Sequence, residues 1–242
     1  MLKIFPNEMA VAVAIAQAMK QDLETLEQSV FCLAAGSTPA KGYAKFCEEM
    51  VGHPDVATLK FVGLDEWVGI SAISEGSCYR MLDADVFTPL NIDASQITFF
   101  DGMAEDLNTM CLEIDQFVEV NPITFSLMGV GMNGHIGLNE PGFPVMHKSS
   151  VVALSDTTKE VAQKYFDEPT CLKKGLTLGL GQIVASKRVI VVLTGAHKAQ
   201  IVKEIFSNEE ANLPAQYLLN HPHIDFFLDE AAAQYLNENE RS

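Results

Sequence analysis

One stretch, residues 123–142, restricts the fold open to this chain more than any other. Its first half, Ile123 to Val130, is a largely apolar run carrying β-branched and large side chains. That is the composition of a strand buried on both faces within a parallel sheet. The character changes at Gly129. Gly129, Gly131, Gly134 and Gly137 surround Asn133 and His135, and Asn139-Glu140-Pro141-Gly142 closes the segment. A buried strand that runs straight into such a loop delivers it to the carboxyl edge of the sheet, where open α/β folds bind ligands. Glycines there allow positive φ and close approach of a ligand to the backbone. His135 and Glu140 can meet across the loop, and a carboxylate beside an imidazole fixes its tautomer and raises its pKa. A glycine-rich turn that merely satisfies its own backbone would fit a lone histidine. His135, Asn133 and Glu140 together on glycine hinges point to a site.

The rest of the chain alternates short apolar runs with amphipathic patterns. Asn7 caps an expected helix from Glu8 to about Leu26, with Met9, Val11, Val13, Ile15, Ala16 and Met19 on its apolar face. The first expected strand is Val30–Ala35; others are Thr58–Leu64, Gln96–Phe100, Val151–Leu154, Arg188–Leu193 and Ile224–Leu228. Helices are expected through Tyr43, Phe46 and Met50, through Met81 and Leu82, over Asp106–Val120, from a cap at Ser155 or Asp156 to Phe166, in a stretch beginning with Lys173-Lys174 and Thr177–Ile183, through Ile201, Val202 and Ile205, and from Glu230 to Leu236. Residues 71–80 and 143–149 read as loops. This alternation implies an α/β fold: a doubly wound, mostly parallel sheet with helices on both faces, Rossmann-like and three-layered, in a single domain 1–242.

Two further strand ends carry chemistry. Gly36-Ser37-Thr38-Pro39 follows the Val30 strand; Gly36 permits the turn, the hydroxyls suit a helix cap, and Pro39 suits the first helical position. The amides of a helix start form an anion site. Asp65 and Glu66 end the next strand, and adjacent residues of extended backbone point to opposite sides, so one of the two faces the cleft. Lys198 falls in the first turn of a helix, where a cation is unfavourable unless it meets an anion.

The formal net charge of −16 argues against nucleic acid, which needs a basic face, but leaves room for a small anionic substrate held by local cations and amides. Cys32, Cys47, Cys78, Cys111 and Cys171 show no metal-ligand spacing and no close pairing. The amino terminus does not read as a signal peptide, and no apolar run approaches membrane-spanning length. A soluble cytoplasmic protein is expected, with no cofactor, no metal, no membrane partner and an oligomeric state left open.

Four segments, in this order, resemble the glucosamine-6-phosphate deaminase/isomerase family, which shares a superfamily with the 6-phosphogluconolactonases. They are Gly36-Ser37-Thr38-Pro39, Leu64-Asp65-Glu66-Trp67-Val68-Gly69, the loop Gly129 to Gly142, and Thr177-Leu178-Gly179-Leu180 followed by Thr194-Gly195-Ala196-His197-Lys198-Ala199. The Asn-Glu-Pro continuation after His135 separates this pattern from the lactonases. Trp67 stands where glucosamine-type deaminases usually carry Tyr, and with Gly76-Ser77-Cys78 it is more similar to the galactosamine-6-phosphate branch. Asn133 replaces an Asp found in some members. Lys164 aligns with the family's phosphate-binding Arg, exchanging a planar fork for a point charge.

The resemblance implies conversion of a 2-amino-2-deoxyhexose 6-phosphate and water to a ketohexose 6-phosphate and ammonia. His135, buttressed by Glu140 and with Asn133 beside it, would open the ring. Asp65 would carry a proton between C2 and C1. Gly36, Ser37, Thr38, Lys164 and Lys198 would hold the phosphate. Two alternatives stand beside this: a 6-phosphogluconolactonase-like hydrolase, and a non-catalytic sugar-phosphate sensor. The basic residues of the allosteric members' second phosphate site are missing, since Ser150 and Val152 stand there, so no response to an N-acetylated effector is expected.

Overall fold

Strands that are apolar on both faces belong in the middle of a sheet covered on each side, and the Val-, Ile-, Leu- and Phe-rich runs of this chain lie there. The computed structural model describes residues 1–26 and 28–241; the expected span 1–242 ends on Ser242, outside the described residues. The strands are β1 (Leu2–Phe5), β2 (Val30–Leu33), β3 (Lys60–Gly63), β4 (Asp65–Trp67), β5 (Ile97–Thr98), β6 (Phe125–Gly129), β7 (Ser150–Ala153), β8 (Lys174–Thr177), β9 (Arg188–Leu193) and β10 (Ile224–Asp229). The helices are α1 (Glu8–Thr25), α2 (Ser37–Met50), α3 (Cys78–Leu82), α4 (Thr88–Leu90), α5 (Leu107–Val120), α6 (Asp156–Ala162), α7 (Leu180–Val184) and α8 (Ala199–Ser207).

Seven strands pair in the order β1-β10-β9-β6-β2-β3-β5, and every pairing is parallel. Alternate side chains feed two apolar layers. Phe31, Leu33, Phe61, Phe125, Leu127, Ile190 and Val192 pack with Ile15 and Met19 of α1 and Tyr43, Phe46 and Met50 of α2. Cys32, Val62, Met128, Val189, Val191, Phe226 and Leu228 pack with Ile114 of α5 and Ile201, Val202 and Ile205 of α8. Fully burying one such side chain is worth roughly 1.5–3 kcal/mol over leaving it exposed. This is the doubly wound, three-layer arrangement expected. From β2 the chain steps to β3 and β5 in one direction, while β6, β9 and β10 lie in the other. The crevice between β2 and β6 is therefore the point where the winding reverses, and the loops after both strands open onto it.

A second sheet was not anticipated. β4, β8 and β7 form a three-stranded antiparallel sheet. Lys174–Thr177 is its central strand rather than the start of a helix. A Cβ on Gly175 would meet Leu138 Cδ1 at 2.1 Å, so this glycine lets the side chain of the loop after β6 close over the strand. Both of the strand's partners are distant in sequence, which leaves little local signal.

Three smaller expectations also change. β1 precedes the strand expected to be first; it has four half-buried residues and pairs only with β10. Residues 230–235 form turns rather than a helix, because Asp229 Oδ1 accepts from Ala232 N at 2.8 Å and also from Gly195 N at 2.9 Å, tying the turn to the β9 loop. Gly36 rather than a hydroxyl occupies the N-cap of α2, with no side-chain cap, and Pro39 is the helix's third residue rather than its first. Among the described residues no helix is long and apolar enough to cross a membrane.

Candidate active site

The crevice at the winding reversal is a cavity of about 290 Å³ lined by Gly36, Ser37, Thr38, Asp65, Trp67, Gly131, His135, Thr158, Lys164, Tyr165 and Lys198, among others. A larger hollow of about 600 Å³ lies beside residues 140–146 and 212–220. Among the described residues no Lys, Arg or His lines it, and Glu140 is its one acidic residue. The smaller cavity gathers the titratable and cationic groups.

One end of it is built for an anion. Gly36 takes φ +107 at the N-cap of α2 without a side-chain cap, and Gly36, Ser37 and Thr38 at that helix start line the cavity. A Cβ at Gly36 would stand 2.8 Å from the Tyr165 hydroxyl, so only glycine lets the two segments approach this closely. Ser155 caps α6 through Thr158 N, and the chain runs on in a 3₁₀ turn to Lys164, whose Nζ lies 4.8 Å from the Tyr165 ring centroid. From the other side, buried Lys198 donates from Nζ to Val130 O at 2.6 Å. Burial, then the Lys164 charge, pushes its pKa down to about 8. Neither lysine forms an ion pair among the described residues. Two like charges held in one pocket beside a helix start favour a dianion between them.

The β6 loop supplies the next wall. A Cβ on Gly131 would fall 2.1 Å from His135 Cε1, so the imidazole lies directly on the glycine backbone. His135 Nδ1 stands 2.7 Å from Asn133 Oδ1. An amide oxygen only accepts, so Nδ1 carries the proton and Nε2 is left as an acceptor. Asn133 Nδ2 in turn donates to Glu140 Oε2 at 2.8 Å and to Ser155 Oγ at 3.1 Å. The buttress expected to be direct thus runs through Asn133; His135 Nδ1 and Glu140 Oε2 are 3.8 Å apart. The expected rise in the imidazole pKa is also reversed. Burial outweighs the Glu140 charge, and Lys198 adds to the lowering, so His135 is held neutral at pH 7.

β4 supplies the third wall. Its adjacent acids part company, as the extended backbone requires. Asp65 is half-buried and lines the cavity. Glu66 points away, buried, and accepts from Trp67 N, Ser77 Oγ, Cys78 N and Tyr79 N at 2.9, 2.7, 3.1 and 3.1 Å. Desolvation pushes Asp65 up to about 7; a hydrogen bond from Cys78 opposes this, and the Glu66 charge adds to it. Such a carboxyl can act as base and as acid near neutral pH.

Residues 7–226 match the family model described as glucosamine-6-phosphate isomerases/6-phosphogluconolactonase. The chain belongs to this family. A glucosamine-6-phosphate deaminase of Clostridium perfringens (strain SM101 / Type A) is 31% identical over 225 residues, 91% of this chain and 93% of that one. One of Bacillus cereus (strain G9842) is 30% identical over 222 residues, 91% of this chain and 83% of that one. The solved structure of a monomeric glucosamine-6-phosphate deaminase superposes with a TM-score of 0.91 at 27% identity, covering 97% of this chain and 99% of that one. The 6-phosphogluconolactonase of Trypanosoma brucei has the same fold, with a TM-score of 0.78 at 21% identity over 98% of both chains.

In this member of the glucosamine-6-phosphate isomerase/6-phosphogluconolactonase family, one cleft brings together Asp65, His135, Gly36, Ser37, Thr38, Lys164 and Lys198. Glu140 and Asn133 stand behind the imidazole. Sequence reasoning missed Thr158, whose Oγ1 lies 3.1 Å from His135 Nδ1, along with Tyr165. Only the capping pattern Ser155-x-x-Thr158 carried a local signal for either of them. Among the described residues no group of three or more His, Cys, Asp or Glu could hold a metal.

Proposed function

We propose that this chain, acting as one domain over 1–242, is a deaminating aldose–ketose isomerase. Its reaction converts a 2-amino-2-deoxyhexose 6-phosphate and water into a ketohexose 6-phosphate and ammonia. One observation carries the reading: a carboxyl tuned to about 7, Asp65, lines the same cleft as a neutral imidazole, beyond a cationic end suited to a phosphate.

The roles follow from protonation states. Ser37, Thr38, the first amides of α2, Lys164 and Lys198 hold the 6-phosphate. His135, with Nδ1 protonated toward Asn133, accepts the anomeric hydroxyl proton at Nε2 and returns it to the ring oxygen, opening the pyranose. Asp65 takes the proton from C2 while the 2-ammonium group passes a proton to O1, giving an enolamine; Asp65 then delivers its proton to C1, giving an iminium at C2. Water adds to that iminium and ammonia leaves. Each general acid–base step is worth roughly 10²–10⁴ in rate. The deaminase relatives support this reaction, and Trp67 with Gly76-Ser77-Cys78 supports galactosamine 6-phosphate as the epimer. Lactone hydrolysis would use the same phosphate end and His135, but it gives Asp65 no proton to carry.

The test measures ammonia release from galactosamine 6-phosphate and glucosamine 6-phosphate side by side, with 6-phosphogluconolactone hydrolysis as control. Release from at least one amino sugar is expected, faster with the galactosamine epimer. Lactone hydrolysis without ammonia from either amino sugar would overturn the reading.

A further inference from the structure

One polar group at the cationic end of the cleft has no task in the reaction above. Tyr165 closes the 3₁₀ turn Gln163–Tyr165 that follows α6, and it lines the cavity with Ser37, Thr38, Lys164 and Lys198. Its hydroxyl sits against the N-cap of α2, 2.8 Å from where a Cβ on Gly36 would stand. Its ring lies under the exposed Lys164, with Nζ 4.8 Å from the centroid. The side chain is half-buried, and among the described residues its hydroxyl has no hydrogen-bond partner. The turn that carries it is braced from both sides. Gln163 Nε2 donates to Thr170 O at 3.0 Å, and its Oε1 accepts from Thr170 N at 2.9 Å. Phe166 packs on Gly76, where a Cβ would fall 2.4 Å from Cε1 of the ring. A phenol held in this way has little ordering left to undergo when a ligand arrives.

We infer that Tyr165 is a phosphate-binding residue: its O–H donates to an oxygen of the substrate's 6-phosphate, between the start of α2 and the Lys164 ammonium. This rests on the reading of that end of the cleft as the phosphate site. The groups there divide the work. Each lysine is a compact point charge, which draws an anion without fixing its orientation. A phenol O–H donates along one direction, and a hydrogen bond to a charged oxygen is shorter and stronger than one to a neutral group. The same ring seats the Lys164 ammonium, so one side chain places both a charge and a directed donor. Glycine at position 36 is what admits the hydroxyl to the helix start, since a Cβ there would push against it.

The experiment measures kcat and KM for ammonia release, the dissociation constant of inorganic phosphate by titration calorimetry, and thermal melts in the wild type, Tyr165→Phe and Lys164→Met. Phenylalanine keeps the ring and its contact with Lys164. With no internal hydrogen bond to lose, Tyr165→Phe should melt as the wild type does. Loss of the donor should raise both KM and the phosphate dissociation constant about tenfold, with kcat within about twofold of wild type. Unchanged constants would overturn the proposal. A higher KM with phosphate binding intact would put the hydroxyl on the sugar and overturn it too, as would a fall in kcat at constant KM. Lys164→Met separates the two layers of the argument. If it weakens phosphate and Tyr165→Phe does not, only the hydroxyl's role falls. If neither variant changes phosphate binding, the reading of this end as a phosphate site falls as well.

Discussion

In the proposed reaction, the loop wall and the strand wall of this cleft prepare a side chain for proton transfer by opposite means. On the loop wall, His135 is one end of a chain of donors and acceptors that passes through Asn133 to Glu140 and Ser155. Burial keeps it neutral, and the relay decides which nitrogen carries the proton. On the strand wall, Asp65 lines the cavity with no such relay behind it among the described residues, and desolvation raises its pKa to about 7. A relay fixes orientation and spreads it over several residues. A half-buried carboxyl with no relay has little behind it to compensate for its loss. The strand wall should therefore be the more fragile of the two.

The largest expected effect tests that directly. Asp65→Asn keeps the shape of the side chain and removes the base, so kcat should fall by about 10³ or more while phosphate-ester binding at α2, Lys164 and Lys198 persists. Stopped kcat and unchanged inhibition by a simple hexose 6-phosphate would be the pair of readings to look for. A variant retaining a tenth of wild-type kcat, a barrier change under about 1.4 kcal/mol, would remove Asp65 from the role.

The loop wall should fail by degrees. His135→Gln removes the group that handles the ring oxygen, so about a 10²-fold loss is expected with a cyclic substrate and a smaller one with an analogue fixed in open-chain form. Asn133→Ala leaves the imidazole but releases its tautomer, and about a tenfold loss is expected, partly offset by Thr158 at 3.1 Å. Equal damage by His135→Gln on cyclic and open-chain substrates would make the histidine structural. A loss from Asn133→Ala as large as that from His135→Gln would mean that the relay has no redundancy, and the contrast between the walls would disappear.

The same contrast explains what was legible in the sequence. The loop wall lies within one continuous stretch, so glycine spacing, His135 and Glu140 could be read together, and the apolar run before them identified β6. Its internal wiring was not readable. Which of Asn133 and Glu140 touches the imidazole depends on a turn only a few residues long, and the sign of the His135 shift depends on burial that sequence does not carry. The strand wall is assembled from distant pieces. Asp65 was visible as a charge at a strand end, but the 76–79 turn reaches that strand only through hydrogen bonds to Glu66 and Trp67. β8 was misread for a related reason. Gly175-Leu176-Thr177-Leu178 suits a strand once β4 and β7 flank it, and neither lies nearby in sequence. β1, at the sheet edge and half-buried throughout, lacked the full apolar run that marked the central strands.

The smallest expected effect concerns a third region, the segment 143–152 that leaves the catalytic loop and enters β7. A deaminase that responds to an N-acetylated hexosamine 6-phosphate needs a second anion site, and this segment shows what such a site would lack. At the catalytic phosphate end, two lysines converge on a helix start without carboxylate partners among the described residues. Here the one lysine, Lys148, is exposed and already bound to Glu119 at 2.9 Å, and Ser149 N donates to the buried Asp115 carboxylate at 2.9 Å. A dianion brought to this surface would meet two carboxylates before it met a free cation, and its desolvation would go uncompensated. Coupling also requires an effector to distinguish two states. Substrate saturation should therefore be hyperbolic, and N-acetylglucosamine 6-phosphate should act only as a weak competitor at the catalytic cleft, raising apparent KM and leaving kcat unchanged. The measurement is a pair of saturation curves with and without that compound. A Hill coefficient clearly above one that the compound lowers would reveal a second phosphate site, and the polarity of residues 143–152 would then have to be overcome by groups from outside this segment.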